Sequence, residues 1–392
     1  MKVLYITNKP IFPVVDGGCK AMQQFLSCLL KAEIEFDHLC LATQKHPFKA
    51  ENYPNSMTEN LSISSRFIQT KIRVLPALKN LIQGKSYNIS RFDSPDFHAD
   101  LSAKLSAENF THVVLESLYL TPYISTIRHH SKAKIIIRTH NVEHQIWEQY
   151  AANTFNPIKK WYLKRLACAM KTAEISNLNS VDLLATISNT DAETFRNLGI
   201  KTPMVTIPVA MEVQSKKTTF STDNIFFLGS MNWQPNSEAV DWLVSSIFPA
   251  LKKVIPEVCL NLAGSFMNGK FPSDKKTGIM NHGFVENSTD FMLAKGILVL
   301  PIQSGSGVRM KLLEALSLGI PVVTTAVGAQ GINDFSTVYS AETEEEFVAK
   351  IAELLLSTEK QLLLGQKAFE YVAENYSTST ISHLIRTKFE QL

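Results

Sequence analysis

Several features that would settle a function class at once are missing from this 392-residue chain. It has only five cysteines, Cys19, Cys28, Cys40, Cys168 and Cys259, with no CxxC pair and no adjoining histidine cluster. An odd, scattered set excludes a disulfide framework and a structural zinc site, and it fits reduced thiols. The formal charge of +3 is too small for a nucleic-acid partner held by the protein's field. No apolar run approaches the ~20 residues that span a bilayer. The opening MKVLYITNKP carries one lysine and a short apolar run, which reads as a first strand and not a secretory leader. These absences lead us to expect a cytoplasmic, non-spanning protein. No GxGxxG occurs, so the dinucleotide fingerprint is absent too.

What is present is enough apolar sequence, 45% of residues, for two ordinary domains. Short Val-, Ile- and Leu-rich runs without alternation predict parallel strands covered on both faces. They fall at Val3–Ile6, Phe36–Leu41, Ile72–Leu75, Val113–Leu115, Ile135–Ile137 and Leu183–Ile187. Helical stretches lie between several of them, beginning with Ala21–Leu30. Pro203, Pro208 and the polar Gln214–Lys217 run mark a linker, with a domain boundary near 203–220. The strand–helix alternation then restarts at Asn224–Leu228 and continues through Cys259–Gly264 and His282–Val285. Thr343 with Glu346 forms a capping box for a helix from Glu344, and Thr378–Leu392 reads as a last helix.

The stretch VLPIQSGSGVRMKLLEALSLGIPVVTTAVGAQG, residues 299–331, organises the second half. It predicts a strand, a loop at Ser304-Gly305-Ser306-Gly307, a helix over 308–318, a Gly319 stop and a strand beyond Pro321. A glycine loop opening a helix offers free amides and the positive dipole end to a phosphate. Arg309 and Lys311 fall in that first turn, where the dipole disfavours cations unless an anion neutralises them. Lys311 can instead pair with Glu314 three residues on.

In the first half, Gly17-Gly18 follows the first strand as a turn that either admits a ligand or merely reverses the chain. His140 lies just past the strand Ile135–Ile137, where open α/β sheets place ligands. Glu143 is in reach of the ring or the backbone; alternatively Asn141 caps the next helix and the histidines are incidental. His144 reads as a helix surface residue. Zinc has no third ligand at suitable spacing, so no metal site is expected. Asn156-Pro157 opens a basic helix with Ile158, Trp161, Tyr162 and Leu166 against Lys159, Lys160, Lys164 and Arg165. Such a helix over 158–172 suits peripheral contact with an anionic membrane surface, or packs on the core with a solvated basic face.

Two segments carry a family resemblance: Phe227-Leu228-Gly229-Ser230-Met231-Asn232-Trp233-x-Pro235-Asn236, and Glu314-Ala315-Leu316-(x)2-Gly319-x-Pro321-Val322-Val323. With Gly17-Gly18, His140 and Ile187-Ser188-(x)2-Asp191 in support, nearly the whole chain resembles a family 4-type retaining glycosyltransferase of group 1. The resemblance implies an α/β protein of GT-B fold, two Rossmann-like domains with parallel sheets facing across a cleft. The acceptor-side domain would be 1–205 with helix 378–392 packing back on it, and the donor-binding domain 206–377. It further implies retaining transfer of a hexose-type sugar from a nucleotide-diphosphate donor, with no other cofactor. The acceptor would be a glycan or a lipid-linked glycan, in surface polysaccharide synthesis at the inner membrane face. Glu314 would bind ribose, and the amides of Ser306 and Gly307 with Arg309 and Lys311 would hold the diphosphate. The base would stack near Phe284 and Val285, with Gly229 and Asn232 also on the donor side. His140 would touch the donor sugar and leaving phosphate, and Gly17-Gly18 would approach the β-phosphate or acceptor. No Asp-x-Asp pair occurs, which fits metal-free stabilisation. Ser306 stands where the family has a donor-sugar glutamate, and the Arg and Lys expected after the first strand of the second domain are absent. Those departures keep open a sugar-nucleotide epimerase or hydrolase of the same fold, or a nucleotide-sugar-binding protein without activity.

Overall fold

The computed structural model describes residues 1–55, 62–71, 73–213, 221–267, 271–274, 276–305 and 307–392. Ser306, Ile72 and the Gln214–Lys217 part of the expected linker lie outside the described residues. The chain divides into two compact units, Met1–Ala210 with Thr378–Leu392, and Met211–Ser377.

The first unit is built on seven strands: β1 (Lys2–Thr7), β2 (Glu35–Ala42), β3 (Ile63–Phe67), β4 (His112–Glu116), β5 (Lys134–Thr139), β6 (Leu183–Thr186) and β7 (Met204–Thr206). All pair in parallel, in the order β3-β2-β1-β4-β5-β6-β7. Alternate residues feed two cores. Leu4, Ile6, Val113, Leu115, Ile135 and Ile137 pack on one side of the sheet. Val3, Tyr5, Val114 and Ile136 pack on the other with Phe25 and Leu26 of helix Gly17–Lys31. Burial on both faces explains why these strands read as continuous apolar runs. The last helix, Thr378–Glu390, closes the second of these cores with Ile381, Ile385 and Phe389. Its Arg386 donates to the Ala32 carbonyl at 3.1 Å, and His112 Nε2 lies 3.0 Å from the Phe389 carbonyl.

The second unit holds six parallel strands: β8 (Asn224–Leu228), β9 (Cys259–Ala263), β10 (Ile279–Gly283), β11 (Ile297–Leu300), β12 (Val322–Thr324) and β13 (Tyr339–Ser340). Their order is β10-β9-β8-β11-β12-β13. The capping box of Thr343 and Glu346 is formed on helix Glu344–Leu355. Helix Met310–Ser317 ends in a Schellman arrangement: Gly319, at φ +66°, donates to Leu316 and Ile320 donates to Ala315.

Four local expectations are corrected. The segment Val74–Ile82 is a helix and not a strand at 72–75, and the strand upstream of it is β3. Gly17 and Gly18 are the first two helical residues, not a turn before the helix, because Asp16 caps the helix by accepting from Cys19 N. The strand expected at His282–Val285 is β10, and Phe284 and Val285 lie in the loop beyond its end. Arg309 is the residue before helix Met310–Ser317, in extended backbone at φ −83° and ψ 100°, and not part of its first turn.

Candidate functional site

In both sheets the strand order reverses direction next to the first strand, between β1 and β4 and between β8 and β11. Ligands of open α/β sheets bind beyond the carboxyl ends of strands at such points. His140, Gly17 and Gly18 of the first unit and Gly229, Asn232, Arg309 and Lys311 of the second lie near these points, whereas Phe284 and Val285 follow the edge strand β10.

In the first unit, a cavity of about 180 Å³ opens beyond β1, β4 and β5, lined by Lys9, Gly18, Glu116, Tyr119, His140 and Glu143 among others. Lys9 Nζ reaches both oxygens of Asp16 at 2.7 Å. Burial raises the Asp16 pKa, but the Lys9 hydrogen bond and charge prevail and bring it down to about 2. A Cβ on Gly18 would stand 3.2 Å from Lys9 Nζ and 3.3 Å from Asp16 Oδ1, so the glycine leaves this ion pair room against the helix start. Gly18, in the first turn of helix Gly17–Lys31, lines the cavity, with the start of that helix capped by Asp16.

Glu116, at the end of β4, is the hub beneath His140. It is buried, and its Oε2 accepts from Tyr5 at 2.9 Å. Its Oε1 meets both Arg138 Nη1 and His140 Nε2. The Arg138 guanidinium also lies 4.8 Å over the Phe25 ring. Burial pushes the Glu116 carboxyl up, yet the charges of Arg138 and His140 outweigh it and hold the group below its ordinary value. A carboxylate fixed by Tyr5 and Arg138 fixes the His140 ring in turn, with the ring still partly exposed to the cavity. Ser117 follows at φ +113° and ψ 148°, a region nearly reserved for glycine that costs about 1–3 kcal/mol. Its amide donates to the Arg138 carbonyl at 3.0 Å, so the strain is held by the same β4–β5 contact.

Glu143 does not touch the His140 ring; its Oε2 accepts from Tyr119 Oη at 2.7 Å. Burial raises it from the ordinary carboxyl value to about 7, against the Tyr119 hydrogen bond and with some help from Glu174. The expected helix cap at Asn141 is not used. Val142 is the capping residue of helix Glu143–Ala152, and Glu174 accepts from the amides of Glu143 at 2.8 Å and His144 at 3.1 Å. His144 is accordingly buried and not on the surface, with Nδ1 2.5 Å from Glu174. Sequence reading missed Glu116, Arg138 and Glu174 because each bonds to a partner 22 to 31 residues away. The end of a predicted strand was the one signal pointing to Glu116.

Glu143 carries a pH prediction. Its native pKa lies above its unfolded value, so the folded state binds the extra proton and stability falls as pH rises from about 4.5 through about 7. Glu143→Gln cannot ionise. Its melting temperature should therefore gain on wild type between pH 5 and 8, a widening of a few degrees; a constant difference would contradict the raised carboxyl.

In the second unit, the loops after β8 and β11 meet through Arg309 and Trp233. The Arg309 guanidinium is buried, 4.9 Å over the Trp233 ring, with Nη2 3.4 Å from the Ser304 carbonyl. Burial brings its pKa down to about 10, still charged at neutral pH. Gly305 sits at φ +98°, and a Cβ there would come within 3.0 Å of Trp233 and 3.3 Å of Arg309 Nη2. Gly307 takes φ +87° on the way to the helix. The loop after β9 closes on the same place: a Cβ on Gly264, at φ +141°, would fall 1.8 Å from the Gly229 carbonyl. Asn232 accepts from Ser230 Oγ at 2.8 Å. Lys311 pairs with Glu314 at 2.6 Å, and Ser288 Oγ reaches the same Glu314 oxygen at 3.4 Å. Phe284 is 69% exposed beyond β10, an aromatic face open to a planar ligand. Among the described residues, no group of three or more His, Cys, Asp or Glu side chains is placed to hold a metal ion.

Residues 222–357, most of the second unit, match the family described as glycosyl transferases group 1. That match makes the second unit similar to a group 1 glycosyl transferase domain. Solved structures match over essentially the whole chain and share its GT-B fold. The TarM crystal structure has a TM-score of 0.69 at 13% identity, covering 99% of each chain. Sucrose-phosphate synthase from Thermosynechococcus elongatus has 0.68 at 14%, covering 100% of this chain and 99% of that one. Anabaena Alr3699/HepE, crystallised with UDP, has 0.66 at 12%, covering 100% of both. A curated Klebsiella pneumoniae protein, described as an uncharacterized 44.6 kDa protein in the cps region, is 24% identical and covers 97% of each chain. The fold is thus GT-B.

Proposed function

We propose that the protein is a retaining, metal-independent glycosyltransferase that moves a hexose-type sugar from a nucleotide-diphosphate donor to a glycan or lipid-linked glycan. The observation that carries this reading is the meeting, at the reversal point of a group 1 domain, of Arg309, Lys311 and Glu314 around one helix start. Cleaving a glycosyl–phosphate bond leaves negative charge on the diphosphate. Fixed cations and helix amides lower that barrier most when they are held in place beforehand. Arg309, clamped on Trp233, and Lys311 take that role. Glu314 exchanges Lys311 for the ribose hydroxyls when donor binds, and Phe284 with Val285 receives the base. Gly229 and Asn232 flank the donor. In the first unit His140, braced by Glu116, serves the donor sugar and leaving phosphate, and the Gly17-Gly18 helix start serves the phosphate or the acceptor. UDP in the Alr3699/HepE crystal and the cps region of the Klebsiella relative support a uridine donor and a polysaccharide setting.

A thermal-shift screen of UDP-, GDP-, ADP- and dTDP-sugars tests this. A donor at about 100 times its Kd adds roughly 2.7 kcal/mol to native stability, so one nucleotide class should raise the melting temperature clearly above the others. No shift with any of them would overturn the reading. Nucleotide release that proceeds fully without acceptor would replace transfer by hydrolysis.

A further inference from the structure

Two helices of the first unit, Glu143–Ala152 and Pro157–Leu178, are clamped together by a small core of Ala151, Leu163 and Leu166, with Trp147 and Tyr162 packed against it. The connection between them carries an apolar patch on the outside. Phe155 is fully exposed, and Ile158, Trp161 and Tyr150 are 79%, 56% and 53% exposed. Ile158, Trp161 and Arg165 are spaced i, i+3, i+7 and share one face of the second helix. Arg165 lies 5.9 Å over the Trp161 ring, and Lys159 and Lys164 are exposed beside it. Lys160 is partly covered and donates to the Ala152 carbonyl at 3.3 Å, tying the second helix to the end of the first. No acidic residue occurs between Glu148 and Glu174, while five cations do.

Large exposed side chains singly placed need no explanation; four within twelve residues, interleaved with charge of one sign, do. The patch offers apolar side chains and positive charge together. A surface presenting anionic headgroups over an apolar interior matches both. Aromatic and aliphatic side chains enter the acyl boundary while basic side chains stay with the headgroups. We propose that this tip is a docking surface for an anionic lipid bilayer, with Phe155, Ile158 and Trp161 inserting and Lys159, Lys164 and Arg165 resting on the headgroups. Phe155 leads because it stands in the loop and is the most exposed of the set. The inference goes beyond the transfer reading and does not depend on it, since docking needs neither donor nor turnover.

The test is sedimentation of the full chain with vesicles of phosphatidylcholine alone or with roughly one-third phosphatidylglycerol. Wild type should bind the anionic vesicles at least about tenfold more tightly than the neutral ones, and lose that preference in high salt. Phe155→Ser/Ile158→Ser/Trp161→Ser removes mostly exposed surface, so it should stay folded with a melting temperature within a few degrees of wild type and bind anionic vesicles at least about tenfold more weakly. Lys159→Glu/Lys164→Glu should do the same without touching an apolar group. Equal binding to both vesicle types, or binding that survives both variants, would overturn the proposal. So would a wild-type dimer in sedimentation velocity that the serine variant dissolves, with no vesicle binding: the patch would then belong to a second copy of the chain.

Discussion

Arg309→Ala is expected to slow sugar transfer by about 100- to 1,000-fold, the cost of removing one preorganised donor to a developing oxyanion. The guanidinium is held before the reaction begins, by the Trp233 ring at 4.9 Å and the Ser304 carbonyl at 3.4 Å. Gly305, which has no side chain to intrude, keeps the space beside it. Little reorganisation is therefore left for the moment of bond cleavage. The same stacking means the alanine variant also loses about 1–2 kcal/mol of cation–π contact, and its melting temperature should drop by a few degrees without loss of fold. Arg309→Lys separates the two roles: it keeps a charge but not the planar stack, and should recover part of the rate and little of the stability. Nucleotide release measured with each variant decides the matter. Turnover at the wild-type rate in folded Arg309→Ala would remove Arg309 from the mechanism.

The largest expected effect on stability comes from a residue that meets no proposed ligand. Arg138→Met should destabilise the first unit by about 3–5 kcal/mol, because it leaves the Glu116 carboxylate buried against Tyr5 and His140 without its main counter-charge. Charge and not volume is the cause, since methionine fills most of the space over Phe25. The double variant Arg138→Met/Glu116→Leu should regain most of that loss, as replacing a whole buried ion pair is often nearly neutral. Its His140 ring would have lost its anchor, so regained stability should come with depressed transfer. Urea unfolding reads the first effect and nucleotide release the second. A single variant that costs less than about 1 kcal/mol would show that Glu116 does not rely on Arg138.

How much of this could be read from residues alone depends on how local the cause is. β1, β4 and β5 were legible because burial on both faces makes them uniformly apolar, and Gly319 was legible because a helix stop is written within five residues. β3 was not: Ile-Ser-Ser-Arg-Phe sits at the sheet edge, half exposed, with only its two end residues apolar, while Val74–Ile82 concentrates the apolar residues and forms a helix. The site divides in the same way. Glycines, a helix start and a residue past a strand end announce themselves, so His140, Gly229, Arg309 and Glu314 could be singled out. Glu116, Ser117 and Glu174 act through pairings across strands and between helices, and a sequence gives no sign of which carboxylate will meet which ring. His144 was misplaced for that reason: its surface-like spacing hides a bond to Glu174 thirty residues on.

The helix at Thr378–Glu390 has a consequence for the order in which the protein can form. The ribosome delivers unit one up to Ala210 long before it delivers Ile381, Ile385 and Phe389, which complete the core over Phe25 and Leu26. The second unit is one continuous stretch and has its whole interior in hand first. During synthesis the earlier-made unit must therefore wait, with an apolar furrow open along helix Gly17–Lys31, while the later-made one can settle. Slow elongation through 211–377 lengthens that wait.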